Sequence, residues 1–184
     1  NIMTTGSIVS KLIKTANCMV GFLPGGLAMA GILACGFFGA ISGSTVATVV
    51  AIGGFMIPAL LENNYDEKFS VGVMTTAPIL GVIIPPSISM ILYTMVTNDP
   101  LEALFLTGFV PGVLIMFFMS LYAYFFCNRR DTVTMPKPSL QEVFATLRES
   151  FWALMLPVLI FGGIYSGYFT ANEAAVVACF YAFI

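Results

Sequence analysis

Two short stretches of this sequence combine residue types that can hold an ion. The first is Gly39-Ala40-Ile41-Ser42-Gly43-Ser44-Thr45, in which three hydroxyl-bearing residues surround a glycine. The second is Gly81-Val82-Ile83-Ile84-Pro85-Pro86-Ser87. Proline has no N–H, and its ring clashes with the carbonyl four residues earlier. Pro85 therefore frees the carbonyl of Gly81, and Pro86 frees that of Val82. Pro86 also drives residue 85 out of the helical region. Hydroxyls and bare carbonyls are hard, neutral oxygen donors. They suit a monovalent cation such as sodium better than a divalent ion, which wants carboxylates. No carboxylate lies in either stretch.

The surroundings of these stretches decide what they can be. Of the 184 residues, 59% are hydrophobic and 9% charged, against about 25% charged in a soluble domain. Mean hydropathy is +0.97, too high for one soluble core, so lipid must face much of the surface. Uncharged runs cover residues 15–61, 69–98, 103–128 and 150–172. A membrane-crossing helix needs about 20 apolar residues. The later three runs each fit about one crossing. The first is too long for one and predicts two crossings, or a re-entrant hairpin of two shorter helices near 23–38 and 46–61.

The predicted fold class is all-α and polytopic. A segment entering the membrane (1–20) precedes a re-entrant hairpin (21–61). A transmembrane helix over 69–98 is broken at 81–87, and an unbroken one covers 101–128. An amphipathic interfacial helix (129–149) and further transmembrane segments (150–184) follow. Backbone inside a bilayer must satisfy its own hydrogen bonds. Neither ion-holding stretch does so as plain helix, and both fall in mid-run. Two blander readings stand beside this one: a small-residue packing seam at 39–45 and a kink without function at 81–87.

Several helix starts are readable. Asp99-Pro100-Leu101-Glu102 supplies an N-cap, a proline at the first helical position and a Glu three residues after the cap. Ser139-Leu140-Gln141-Glu142 is a capping box opening the apolar face Leu140, Val143, Phe144, Leu147 and Phe151. Thr170-Ala171-Asn172-Glu173 is another, so Glu173, the one carboxylate close to an apolar segment and a functional candidate on that ground, reads more readily as a cap, and Trp152 reads as an interfacial anchor. If residues 15–61 cross an even number of times, Lys11, Lys14, Lys68, Arg129, Arg130, Lys137 and Arg148 share one side, with Asp99 and Glu102 opposite. The positive-inside rule makes the basic side cytoplasmic.

Other chemistries find little support. There is no histidine, which removes the commonest general base and metal ligand. An intramembrane serine protease built on Ser42 or Ser44 would lack its base. Cys18, Cys35, Cys127 and Cys179 form no CxxC pair, so they read as small apolar residues. Net charge is −2 without a basic run, which gives nucleic acid nothing to bind. A channel or a purely structural membrane subunit is the remaining competitor. The chain opens at Asn1 in mid-pattern and closes at Ile184 within an apolar run, which predicts a piece of a longer protein.

At its two breaks the sequence resembles the large membrane subunit of tripartite ATP-independent periplasmic (TRAP) transporters. Phe37-Phe38-Gly39-Ala40-Ile41-Ser42-Gly43-Ser44 is similar to that family's first hairpin tip. Ile57-Pro58-Ala59 followed by Asn64-Tyr65-Asp66 resembles the hairpin's end and the next loop, and Gly81 to Ile88 its unwound helix. Leu156-Pro157-Val158, then Gly162 to Thr170, then Glu173-Ala174-Ala175 resembles its central region. The resemblance implies an elevator-type, sodium-coupled importer of organic acids such as C4-dicarboxylates or sialic acids. A periplasmic binding protein would deliver the substrate, and a small membrane subunit would be a partner in the bacterial inner membrane. It also implies a sodium site of Ser42 and Ser44 with the carbonyls of Gly81, Ile84 and Pro86. Gly43, Thr45 and Ser87 become candidates for touching the substrate. Where many relatives carry an Asp, this chain has Thr48, so a carboxylate role there does not carry over. A second inverted repeat, which would complete the substrate site, does not follow within the 184 residues.

Overall fold

The computed structural model describes residues 8–128 without interruption and, beyond them, residues 146, 148, 151, 155, 158–160, 162, 163, 166, 173, 176, 177, 180 and 181. The expectations for the Ser139 capping box, Trp152 and most of the 162–175 pattern lie outside the described residues. Within 8–128 the chain forms six helices: α1 (Ile8–Val20), α2 (Gly26–Ser42), α3 (Thr45–Glu62), α4 (Glu67–Ile83), α5 (Ile88–Thr97) and α6 (Leu101–Cys127). There is no strand among the described residues.

Helix α2 is the centre of the molecule. It packs against α1, α3, α4 and α6, and it is buried on nearly every side. Its small residues explain this position. Gly26, Ala28, Ala30, Gly31, Ala34, Cys35, Gly36, Gly39 and Ala40 are all buried and let four neighbours approach closely. In lipid, helices associate through such close packing because apolar burial gains little over contact with acyl chains. Larger side chains fill the outer layer of the core: Leu12 from α1, Ile52, Met56 and Leu60 from α3, and Val73, Met74 and Leu80 from α4.

The closest approach is between α2 and α4. A Cβ added to Gly39 would lie 2.6 Å from the Cα of Gly81. One added to Gly81 would lie 3.2 Å from the Cα of Gly39. Backbone meets backbone here with no side chain between. The packing-seam reading of Gly39 is therefore right for that residue, while the turn itself lies further along.

Both interruptions are shorter than the sequence suggests. Helix α2 continues through Ser42, so Gly39 to Ser42 are helical, and only Gly43 and Ser44 stand between α2 and α3. Helix α4 likewise continues through Ile83, so the break is 84–87 rather than 81–87. The reason is directional. Proline removes an N–H from its own position and an acceptor's partner four residues back. Gly81 to Ile83 keep their own N–H groups and stay helical, while the carbonyls on that turn lose their partners.

Helix α4 starts at a cap that the sequence reading passed over. Asp66 Oδ1 accepts the Phe69 N–H at 3.0 Å, and Ser70 Oγ donates to the Asp66 carbonyl at 2.8 Å. Phe69 then stacks on Phe126 with ring centroids 4.4 Å apart and planes 4° apart. Tyr122 completes the cluster, fixing the start of α4 to the end of α6. At α6 the expected Asp99 cap is not made. Pro100 takes the N-cap position with no side-chain cap bond, and Leu101 is the first helical residue. The proline sits one residue earlier than its N1 preference predicted. Its extended ψ of 120° ends the turn instead of starting the helix.

Helices α3 and α6 are each long and apolar enough to cross a membrane, and α4 with α5 would form a third crossing bent by 40° at the break. At 17 residues, α2 is shorter. The outer face of α5 and α6 is apolar and exposed, including Leu92, Val96, Val110, Phe117 and Phe125. The fold is that of an all-α polytopic membrane protein. Replacing Gly39 with Ala should force α2 and α4 apart, because the new methyl meets backbone rather than a flexible side chain. We expect a loss of about 1–3 kcal/mol, read as a lower unfolding midpoint of the full-length protein in detergent. An unchanged midpoint would mean the close approach is not tight.

Candidate functional site

The turn between α2 and α3 is built from two residues with different tasks. Gly43 adopts the left-handed conformation, φ 59° and ψ 14°, and its N–H closes α2 on the Gly39 carbonyl at 2.7 Å. A glycine ends a helix this way without a Cβ penalty. Ser44 is extended, at φ −136° and ψ 124°, and starts α3 with its hydroxyl accepting the Ala47 N–H at 3.5 Å. Ser42, the last residue of α2, turns its hydroxyl into the same space. Ser42 Oγ lies 3.4 Å from the Ser44 carbonyl and 3.4 Å from the Ser44 N–H that donates to it.

The second break presents carbonyls. Ile84 is extended, at ψ 122°, as the residue before a proline prefers. Its N–H still bonds to the Leu80 carbonyl at 2.7 Å, but Gly81 has no N–H four residues ahead because that position is Pro85. The Pro85–Pro86 peptide is cis. Ser87 is extended and fully buried, and starts α5 without a side-chain cap.

The two breaks meet. The Ile88 N–H faces the Gly43 carbonyl at 3.5 Å. A Cβ on Gly43 would lie 3.0 Å from the Pro86 carbonyl oxygen. A Cβ on Gly81 would lie 3.2 Å from Thr48 Oγ1 and 3.3 Å from the Ser44 carbonyl oxygen. Ser44, Gly81, Gly43 and Pro86 are thus in one contact layer, with Ser42 beside them. Ile84 is buried, and its side chain points to α6, where a Cβ on Gly112 would come within 2.6 Å of Ile84 Cγ1. Any part Ile84 plays at the junction falls to its backbone. Thr45, half-buried, opens α3 next to the tip. Ser87 pairs its hydroxyl with Ser89 at 2.7 Å. Among the described residues no three His, Cys, Asp or Glu side chains cluster, so the junction's polar atoms are hydroxyls and peptide groups.

One residue at the junction was not foreseen as part of it. Thr48 is fully buried, and its hydroxyl donates to the Ser44 carbonyl at 2.8 Å and lies 3.2 Å from Ser42 Oγ. The signal was present in the spacing. A threonine four residues after a helix N-cap can return its hydroxyl to that residue's carbonyl.

The left-handed Gly43 yields a direct expectation. Gly43→Ala should cost about 1–2 kcal/mol for the backbone conformation alone. It should also push the tip away from Pro86, so stability and the site's function should fall together. A variant that keeps full activity would show that the tip need not touch the break.

Known proteins place the chain. Residues 1–184 match the family described as Tripartite ATP-independent periplasmic transporter, DctM component. The chain is 43% identical over 179 residues to the C4-dicarboxylate TRAP transporter large permease protein DctM of Pseudomonas aeruginosa, covering 97% of this chain and 42% of that protein. It is 41% identical over 184 residues to the ectoine/5-hydroxyectoine large permease UehC of Ruegeria pomeroyi, covering 100% and 43%. It is 36% identical over 182 residues to the sialic acid large permease SiaM of Vibrio cholerae, covering 99% and 43%. The chain thus spans less than half the length of each of these relatives. With the broken helices and the hairpin tip already in view, these matches show that the chain belongs to the DctM family of TRAP transporter large permeases.

Proposed function

We propose that this chain is part of the membrane subunit of a sodium-coupled secondary transporter. It would import an organic acid of the C4-dicarboxylate or sialic-acid type into the bacterial cell. The whole protein would work in the inner membrane with a small membrane subunit, and a periplasmic binding protein would hand over the substrate anion. One observation carries the sodium reading: the Ser42-Gly43-Ser44 tip and the 84–87 break touch, with Gly43 against Pro86 and Gly81 against Ser44.

The donor set fits a co-transported sodium ion. Ser42 and Ser44 contribute hydroxyls, and Gly81, Ile84 and Pro86 contribute carbonyls. The Gly81 carbonyl is left without its helical partner by Pro85. Such oxygens at interrupted helices are how secondary transporters hold small cations, while helix N-termini face the anion. Helix α5 starts at this junction, with Gly43 and Ser87 at its N-terminal end, where a substrate carboxylate would be favoured, and Thr45 on the first turn of α3 is a further candidate to touch it. The substrate site as a whole would also draw on the remainder of the protein. Relatives named for C4-dicarboxylate, ectoine and sialic acid share this half of the chain, consistent with a common coupling site and a separately chosen substrate.

In the complete transporter reconstituted in vesicles, Ser42→Ala should raise the half-saturating sodium concentration at least tenfold. Unchanged sodium dependence would remove this reading. None of Ser42, Ser44, Gly81, Ile84 or Pro86 carries a group that titrates near neutrality. Sodium affinity should therefore stay flat between about pH 6 and 8, measured by sodium titrations of uptake across that range.

We also propose the orientation given by the charges: Lys11, Lys14, Lys68, Arg129 and Arg130 on the cytoplasmic side, Asp99 and Glu102 on the periplasmic side. Single cysteines in an otherwise cysteine-free protein test this. Glu102→Cys should react with an impermeant maleimide in intact cells, and Glu67→Cys only after the membrane is opened. The reverse pattern would invert the topology.

A further inference from the structure

Thr48 has a fully buried side chain, and its hydrogen bonds decide the state of its neighbours. A hydroxyl has one proton to give and two lone pairs to receive with, whereas a carbonyl only receives. Thr48 Oγ1 is 2.8 Å from the Ser44 carbonyl oxygen, so its proton goes there. At the 3.2 Å contact between Thr48 Oγ1 and Ser42 Oγ, Thr48 must then accept and Ser42 must donate. Ser42 Oγ in turn receives the Ser44 N–H at 3.4 Å. The Ser42 proton and one of its lone pairs are therefore committed, and one lone pair stays open.

The same threonine saturates a competing oxygen. The Ser44 carbonyl receives both the Thr48 N–H, at 3.1 Å, and the Thr48 hydroxyl, at 2.8 Å. A carbonyl has two lone pairs, so both are held by one residue. Ser44 is left with its hydroxyl as the group it can offer. If the Thr48 hydroxyl were absent, the Ser42 proton would lose its acceptor. The nearest replacement is the Ser44 carbonyl, 3.4 Å from Ser42 Oγ, and the Ser42 hydroxyl would reorient.

We propose that Thr48 is a positioning residue for the cation: it fixes the direction of the Ser42 hydroxyl and withdraws the Ser44 carbonyl, without contacting the ion. This inference rests on the sodium reading above. The bond to the Ser44 carbonyl selects one of the two rotamers open to a helical threonine, and the site at Gly81 beside it has no room for a displaced side chain, since a Cβ there would already lie 3.2 Å from Thr48 Oγ1.

The test uses sodium titrations of substrate uptake by the complete transporter in vesicles. Thr48→Val keeps the shape and removes the hydroxyl, and Thr48→Ser keeps the hydroxyl. Thr48→Val should raise the half-saturating sodium concentration about fivefold, the effect of one net hydrogen bond. The shift in half-saturating sodium should far exceed any change in half-saturating substrate measured at saturating sodium. Thr48→Ser should stay within twofold of the parent in sodium. Should Thr48→Val fail to assemble, Thr48→Ala removes the same hydroxyl and carries the same expectation. A valine or alanine variant with the parent's sodium dependence overturns the proposal, as does a serine variant as impaired as either. Ser42→Ala, run alongside, separates the two levels. If it leaves sodium dependence intact, the sodium reading itself falls and this inference with it. If it acts and Thr48→Val does not, only the role of Thr48 falls.

Discussion

Everything at the junction depends on two backbones lying against each other at Gly39 and Gly81. The hairpin tip comes only four residues after Gly39, and the proline break three residues after Gly81. A crossing point fixed without side chains therefore sets where both interruptions fall. One added methyl on either glycine would meet main chain, which cannot rotate away. Close packing and polar chemistry are thus the same constraint here. The small residues that let α2 sit at the centre also bring the proline break against the Gly43–Ser44 turn.

The polar character of the junction arises by subtraction. A regular helix shows its surroundings no free peptide groups except at its ends. Pro85 takes away one donor, and the carbonyl of Gly81 loses the N–H it would have bonded. Gly43 ends α2 early, and Ser44 restarts the chain as α3. What remains is a set of oxygens in an apolar interior, partly satisfied by Ser42 and Thr48 and by the long Ile88 to Gly43 bond. Such incomplete satisfaction is costly in a low-dielectric setting, which is the physical ground for the cation proposed above.

The parts of this design that follow from local covalent chemistry were legible in the sequence. Two prolines after a glycine determine where α4 must stop, and a glycine between serines marks a turn. The broad helix pattern followed from uncharged runs separated by polar clusters. What could not be read was set by distant partners. That Gly39 packs on Gly81 is a contact between residues 42 positions apart, and no spacing rule reports it. The two acidic caps show the limit at short range. Asp66 and Asp99 each precede a helix, yet Asp66 caps α4, whereas Asp99 is displaced by the extended Pro100 behind it. The choice turned on one ψ angle.

Helix α3 contains a wide turn at Val49–Gly53, immediately after Thr48. A π turn accommodates one residue more than an α turn over the same length, and each residue of an α-helix advances the azimuth by about 100°. The portion of α3 after this turn is therefore rotated relative to a regular continuation of the portion before it. Thr48 and Ile52, and Met56 and Leu60 beyond them, are fully buried at four-residue intervals, a spacing that drifts about 40° per step in a regular α-helix and that the extra residue brings back onto one face. A regular α-helix through these residues would satisfy one set and swing the other aside. The extra residue thus acts as a phase shifter, letting a single helix serve the hydrophobic interior along its length and the polar junction at its tip.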